Sequence, residues 1–322
     1  MKLEEIYKLA VTMGIKADPR GRRSVDKLLG REKEAYEKFS AEEKEDYDTD
    51  RLTNPFADTR VLNGDGGTDV RSLIAGIDME AQEVLMADRL REKGRKIDLV
   101  LAHHPEGKAL ASLSEVMAVQ ADIWHKAGVP INVAEAVLEG RMSEVMRLML
   151  PLNHQRPVQA AQLLDFPLMC VHTPCDNLVT SHLQKHFDRK GDELTLKEVR
   201  DELLKYPEYK AAKRDNAGPT IVVGSEKRRA GSILVDMTGG TGGPSESLEK
   251  LAAAGVGTLV GMHISEKNRE EAEKHKINVV IAGHDSSDSI GMNLFLDELE
   301  KKGVEIIPCS GLYRFSRVKK KK

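Results

Sequence analysis

Three short stretches of the chain carry residues able to bind a metal. The first is Leu99–Lys108, LVLAHHPEGK, where an apolar run ends in His103-His104-Pro105. Neighbouring residues on a strand point to opposite faces. At a strand end broken by proline the backbone can turn, and both imidazoles can converge. The second is Phe166–Val171, FPLMCV, which runs into His172-Thr173-Pro174-Cys175-Asp176-Asn177. Asp176 is the candidate ligand there, because a carboxylate is a hard oxygen donor that can bridge two divalent ions. His172 and Cys175 read as supporting or packing residues. The third follows the apolar run Ile277–Ala282 and is Gly283-His284-Asp285-Ser286-Ser287-Asp288. His284 and Asp288 stand at i and i+4 and share a face if the segment turns helically. Gly283 permits a close backbone approach. Together His103, His104, Asp176, His284 and Asp288 are three histidines and two carboxylates on three strand ends. Such a set suits a pair of first-row divalent ions better than one structural zinc.

An alternation of strands and helices has to position these residues. Arg71–Ile77 reads as a strand, Asp78 as the N-cap of a helix to about Glu92, and Ile97–Ala102 as the next strand. That is a β–α–β unit, so its strands are expected to be parallel, with the histidine pair at a carboxyl edge. Leu113–Lys126 reads as a helix, Val129–Val133 as a short strand and Ala134–Met149 as a helix. Trp124 and His125 read as packing or surface residues, and His154 falls in a loop with no role. Residues 178–216 are polar and helical, clearest at Leu194–Leu204, with His182 and His186 on the surface and Lys205–Asn216 as an exposed connector. Thr220–Val223 and Ala230–Val235 read as strands. Met237–Pro244, MTGGTGGP, is a glycine-rich turn between strand and helix, with Pro244 at a favourable first helical position. Its N–H groups could hold a phosphate or carboxylate. Its spacing is neither a dinucleotide fingerprint nor a P-loop, and a tight structural turn is the competing reading. Helices at Ser245–Ala254, Glu266–His275 and Met292–Lys302 then alternate with strands at Gly257–Gly261, Ile277–Ala282 and Val304–Pro308. Before all this, residues 1–53 read as an accessory helical arm and 54–70 as turns. Arg317–Lys322 reads as an unstructured basic tail.

Composition narrows the class. The 322 residues are 40% apolar and 31% charged with a net charge of −3, which does not favour general nucleic-acid binding. Aromatics are 4%, too few for a base-stacking surface. No stretch of about 18 apolar residues could span a membrane. The opening MKLEEIYKLA carries acids and no long apolar core, unlike a signal peptide. Cys170, Cys175 and Cys309 form no CxxC pair, which fits a reducing compartment. A cytoplasmic protein is expected.

The order and context of LVLAHHP, VHTPCD and AGHDSSD resemble the Nif-three-like proteins, a dinuclear-metal family often described as type-two GTP cyclohydrolase-like. The resemblance covers roughly residues 60–178 and 218–315. It implies two intertwined three-layer α/β domains with largely parallel sheets. The first would be 55–178 plus 283–322 with the histidine pair, and the second 179–282 with the glycine-rich turn, after a helical arm at 1–54. Carried over, His103, His104, Asp176, His284 and Asp288 become ligands of two divalent ions, zinc, iron or manganese. Asp288 stands where the family has glutamate, and His263 where an acidic residue is frequent. The implied function is a metal-dependent hydrolase that activates water, GTP cyclohydrolase-like or acting on a nucleotide or phosphate ester, with His172 and His263 as candidate bases. The implied assembly is a homo-oligomer, a toroidal hexamer. The alternative is a non-catalytic metal-binding regulatory or scaffold protein.

Overall fold

The structure is a computed structural model describing residues 1–319; residues 320–322, the end of the expected basic tail, lie outside the described residues. In chain order the strands are β1 (Thr59–Asn63), β2 (Ser72–Gly76), β3 (Leu99–Ala102), β4 (Leu168–Val171), β5 (Thr220–Val223), β6 (Ser232–Asp236), β7 (Val256–Gly261), β8 (Asn278–Ile281) and β9 (Glu305–Pro308). They form two sheets, ordered β1-β4-β3-β2-β9 and β5-β8-β7-β6. Every pairing is parallel except β1 with β4 and β5 with β8, each at a sheet edge. β2, β3 and β4 are buried at every position, as strands are when helices cover both faces of a parallel sheet.

Three α-helices and a 3-10 turn at Thr49–Leu52 precede the first sheet, the helices being α1 (Leu3–Ala17), α2 (Arg22–Glu37) and α3 (Ala41–Glu45). α4 (Ala81–Glu92) links β2 to β3. Between β3 and β4 come α5 (Gly107–Ala111), α6 (Leu113–Val116), α7 (Val119–Lys126), α8 (Ile131–Met149) and α9 (Arg156–Leu163). α10 (Thr173–Asp188), α11 (Leu196–Leu203) and α12 (Pro207–Arg214) lead into the second sheet, where α13 (Glu246–Ala253) and α14 (Glu266–Lys274) are the crossovers. α15 (His284–Lys301) returns the chain to β9 in the first sheet.

Each sheet is the middle of three layers. One face of the first sheet packs Leu73, Leu101 and Met169 against Leu3 and Ile6 of α1 and Phe295 and Leu299 of α15. Its other face packs Ile74, Val100 and Leu168 against Val84 of α4 and Ala161 of α9. On the second sheet, Leu259 and Val279 meet Trp124, Leu138 and Leu248 from α7, α8 and α13. Val235, Val260 and Val280 meet Val179, Val199 and Tyr209 from α10, α11 and α12. The expected α/β class with largely parallel sheets is what the chain adopts, and β2 and β3 pair in parallel.

Several local expectations are corrected. The expected N-terminal arm is helical, and Leu3, Ile6 and Ala10 of α1 are fully buried in the first core. Residues 54–70 contain β1, hidden among turn residues. Val129–Val133 is not a strand: Pro130 caps α8, whose first turn takes Ile131 and Val133. Lys205–Asn216 is not an exposed connector but contains α12, which buries Glu208, Tyr209, Ala211 and Ala212. The helix after β2 is capped by Glu80, not Asp78. Arg317, expected in a free tail, pairs with buried Glu208 at 2.7 Å.

Candidate metal centre

Three strand-to-loop transitions deliver the candidate residues. β3 ends at Ala102, and the His103 and His104 amides then bond the Gly76 and Ile77 carbonyls at the end of β2. That pairing holds the histidine pair at the carboxyl edge of the first sheet. β4 ends at Val171, and α10 starts two residues later with Pro174 in its first turn, placing Asp176 inside the helix. β8 ends at Ile281, and α15 starts at His284 itself, so His284 and Asp288 lie one turn apart on a helix. The expectation that helical turning puts both on one face holds. α10 and α15 pack together through Gly291, where an added Cβ would meet the Cys175 backbone, with its carbonyl carbon at 2.8 Å. That close packing sets Asp176 beside Asp288.

The five predicted residues converge, and His172 joins them. His103 Nε2 lies 3.4 Å from Asp176 Oδ1 and 3.5 Å from Asp288 Oδ1. His104 Nε2 and His284 Nε2 each lie 3.6 Å from Asp288 Oδ2. His172 Nε2 lies 3.7 Å from Asp176 Oδ2. Donor atoms close enough to share an ion occur in three overlapping groups: His103, His104 and His172; His104, His284 and Asp288; His103, Asp176 and Asp288.

The far nitrogen of three rings is already occupied. His103 Nδ1 donates to the Val171 carbonyl at 3.0 Å, His104 Nδ1 to Asp78 Oδ1 at 2.6 Å, and His172 Nδ1 to Asp58 Oδ2 at 2.8 Å. Tying down Nδ1 turns each Nε2 toward the carboxylates, which is the arrangement that orients metal-binding histidines. Asp58 also accepts the Thr173 hydroxyl at 2.5 Å, and although burial would raise its pKa, His172 and Thr173 bring it below the usual range.

Electrostatics and hydrogen bonding both fit a cation. His103 Nε2, Asp176 Oδ1 and both Asp288 oxygens are buried without a hydrogen-bond partner among the described residues. Buried polar groups are normally satisfied, so these four orphaned atoms, gathered within one cluster of histidines and carboxylates, could hold a cation. Burial alone would raise Asp288, yet His103, His104 and His284 hold its carboxyl far below the normal range. Burial opposes charge on His104, but Asp288 and Asp78 raise it to about 9. Cys175 Sγ donates to Met292 Sδ at 3.5 Å, and burial pushes the thiol up against the lowering effect of His103.

His263 sits past the end of β7, with its ring 5.1 Å from that of His284, outside the three groups. Burial and then His284 lower its pKa. Sequence reasoning left out Asp58 and Asp78, and it took His172 for a supporting residue although its spacing of four from Asp176 was a signal. His125 bonds the Val129 carbonyl and His186 pairs with Glu202, so both have structural roles.

No family model and no curated protein matches the sequence. Among solved structures, a NIF3 superfamily protein from Sphaerobacter thermophilus is similar at 27% identity with a TM-score of 0.70, over 80% of this chain and 92% of that chain. Reduced HcgD from Methanocaldococcus jannaschii is 16% identical with a TM-score of 0.46, over 77% and 87%. TTHA1606 from Thermus thermophilus is 15% identical with a TM-score of 0.43, over 81% and 89%. The first carries the comparison of fold, and the other two are too distant to add to it.

Proposed function

We propose that this chain, Nif-three-like in fold, is a metal-dependent hydrolase whose two divalent ions are held by His103, His104, His172, Asp176, His284 and Asp288. The observation behind this is the convergence of orphaned donor atoms: His103 Nε2, Asp176 Oδ1 and both Asp288 oxygens are buried and unpartnered among the described residues. All six residues offer nitrogen or oxygen, a set that suits zinc, iron or manganese. Bound there, such ions would lower the pKa of a water and polarise the bond it attacks.

The chain's own residues do the remaining work. Asp58, Asp78 and the Val171 carbonyl fix three rings, so the ligands need no rearrangement. The His284 side chain is 44% exposed while that of Asp288 is 1% exposed, so the centre opens on the His284 side. An open side favours catalysis over a closed structural site.

The glycine-rich turn favours a phosphate-bearing substrate, a nucleotide or phosphate ester. Gln120 Nε2 holds the Gly239 and Thr241 carbonyls at 2.8 and 2.6 Å, Arg141 the Gly242 carbonyl and Asn268 the Gly243 carbonyl. The amides of Gly240, Gly242 and Gly243 donate to no protein group among the described residues. Carbonyls tied back and amides left free are what an anion-binding turn requires. Self-association is part of the same reading, as exposed Leu150 and Leu163, at 72% and 84%, are apolar surface that an assembly would cover.

The test is metal content per chain by plasma mass spectrometry, on protein purified without an affinity metal or chelator, followed by a screen of nucleotides and phosphate esters. About two ions per chain are expected, falling in His103→Ala and His284→Ala. No bound metal after addition of manganese, iron and zinc would overturn the proposal. Bound metal without hydrolysis would leave the scaffold reading.

A further inference from the structure

Beside the metal centre lies a cavity of about 710 Å³ between the second sheet and α8, α13 and α14. Its size is that of a small-molecule site, and Trp124, Leu248 and Leu259 give it an apolar wall. It shares Asp236, Thr241, Gly242 and His263 with the recess lined by Asp176, His284 and Asp288. A molecule in the cavity therefore borders the metal centre across a wall in which Asp236 stands.

Asp236 is the last residue of β6 and half-buried. Its side chain makes no hydrogen bond or ion pair among the described residues, and burial alone raises its pKa to about 6. On the cavity side the cations are engaged elsewhere, Arg141 with Glu144 at 2.8 Å and Lys267 with Glu246 at 3.8 Å. The recess that Asp236 also lines is shared with His263, His284, Asp176 and Asp288, and none of them offsets the effect of burial on its carboxyl. An unpaired carboxyl in such a wall costs stability, and side chains in that condition concentrate where protons move. The other candidates are less suited. His172 has one nitrogen bound to Asp58 and the other turned to Asp176, and His263 is biased toward its neutral form.

We propose that Asp236 is a catalytic residue, the proton donor to the leaving-group oxygen of a phosphate ester whose body fills this cavity; this rests on the hydrolase reading above. A water oxygen bonds to phosphorus as the bond from phosphorus to the ester oxygen breaks. The electron pair of that bond goes to the ester oxygen, which takes the Asp236 proton and departs as an alcohol. The carboxylate regains the proton that the water releases.

Wild type and Asp236→Asn, both loaded with manganese, are compared on phenyl phosphate and p-nitrophenyl phosphate, with metal content measured on each. p-Nitrophenolate leaves as a stable anion, so it needs little protonation. General acid catalysis contributes about 10²–10⁴-fold. The expected loss in the variant is therefore about 100-fold or more on phenyl phosphate and under about 10-fold on p-nitrophenyl phosphate, with metal content unchanged. Equal losses on both esters, no loss on either, or a fall in bound metal would overturn the assignment. A wild type inactive on both esters would overturn the hydrolase reading and this assignment with it. An active wild type with an equally active variant would overturn the assignment alone.

Discussion

Replacing Gly291 by alanine should damage the metal centre without touching a ligand. A Cβ there would run into the Cys175 carbonyl oxygen, with the carbonyl carbon at 2.8 Å and Cα at 3.3 Å. These are backbone atoms in the first turn of α10, so no rotamer change can relieve the clash. Carbon atoms settle at about 3.5–4.0 Å, so α15 and α10 must part by roughly 1 Å. Overpacking of this kind costs about 1–3 kcal/mol. For a chain of this size that lowers Tm by roughly 2–6 °C. The larger effect should fall on metal binding. Asp288 is three residues before Gly291, and Asp176 follows Cys175, so the same displacement separates the two carboxylates. Metal sites tolerate ligand distances within about 0.2 Å, well below the imposed shift. The assay is thermal unfolding with metal content by mass spectrometry. Gly30→Ala in α2 is the control, because nothing lies within 4 Å of its added Cβ. That control should gain about 0.5 kcal/mol from helix propensity and keep its metal. A Gly291→Ala protein as stable and as metal-loaded as the control would refute the idea that helix contact sets the carboxylate spacing.

Two further outcomes follow from named contacts. Asp58→Ala should weaken metal affinity about 10- to 100-fold, because His172 loses the acceptor that holds its proton on Nδ1; competition with a chromophoric chelator measures this, and unchanged affinity would refute the role of Asp58. Glu202 is drawn by Lys205, Lys190 and His186, against the effect of burial, from 4.5 to about 2. A depressed carboxylate stabilises the fold above its unfolded pKa and loses that contribution as pH falls through the folded one. Glu202→Gln should therefore cost on the order of 1 kcal/mol near pH 7, with the difference from wild type shrinking between pH 4.5 and about 2. Urea unfolding across that range checks it, and a difference independent of pH would count against the pairing.

What could be read in the sequence was whatever local order encodes. Apolar runs that stop at ligand-type residues marked β3, β4 and β8, and helical spacing paired His284 with Asp288. The orienting carboxylates left no such trace. Asp58 reaches His172 from 114 residues away, and Asp78 reaches His104 from 26 residues away. Their function exists only once sheet order has placed β1 beside β4 and β2 beside β3. Short segments misled where burial decided the outcome. Val129–Val133 has strand-type residues, but Pro130 starts a helix there. Lys205–Asn216 looks solvated because its lysines and arginines mask Tyr209, Ala211 and Ala212, which are buried, with Tyr209 in the second core. Asp236 gave no sign because an unpaired carboxyl is defined by what fails to surround it in space.

The path of the chain between its sheets bears on how the molecule comes apart. The chain leaves the first sheet through α10 and returns to it through α15, and both crossings begin at the metal centre. An ion shared by Asp176 and Asp288 would therefore rivet the outgoing limb to the returning one. Loaded protein should melt in one calorimetric transition, while protein stripped by a chelator should yield its two sheets in separate steps. On this view the ions add to mechanical unity as well as chemistry, beside the apolar packing of α7, α8, α10 and α15 that already joins the two sheets.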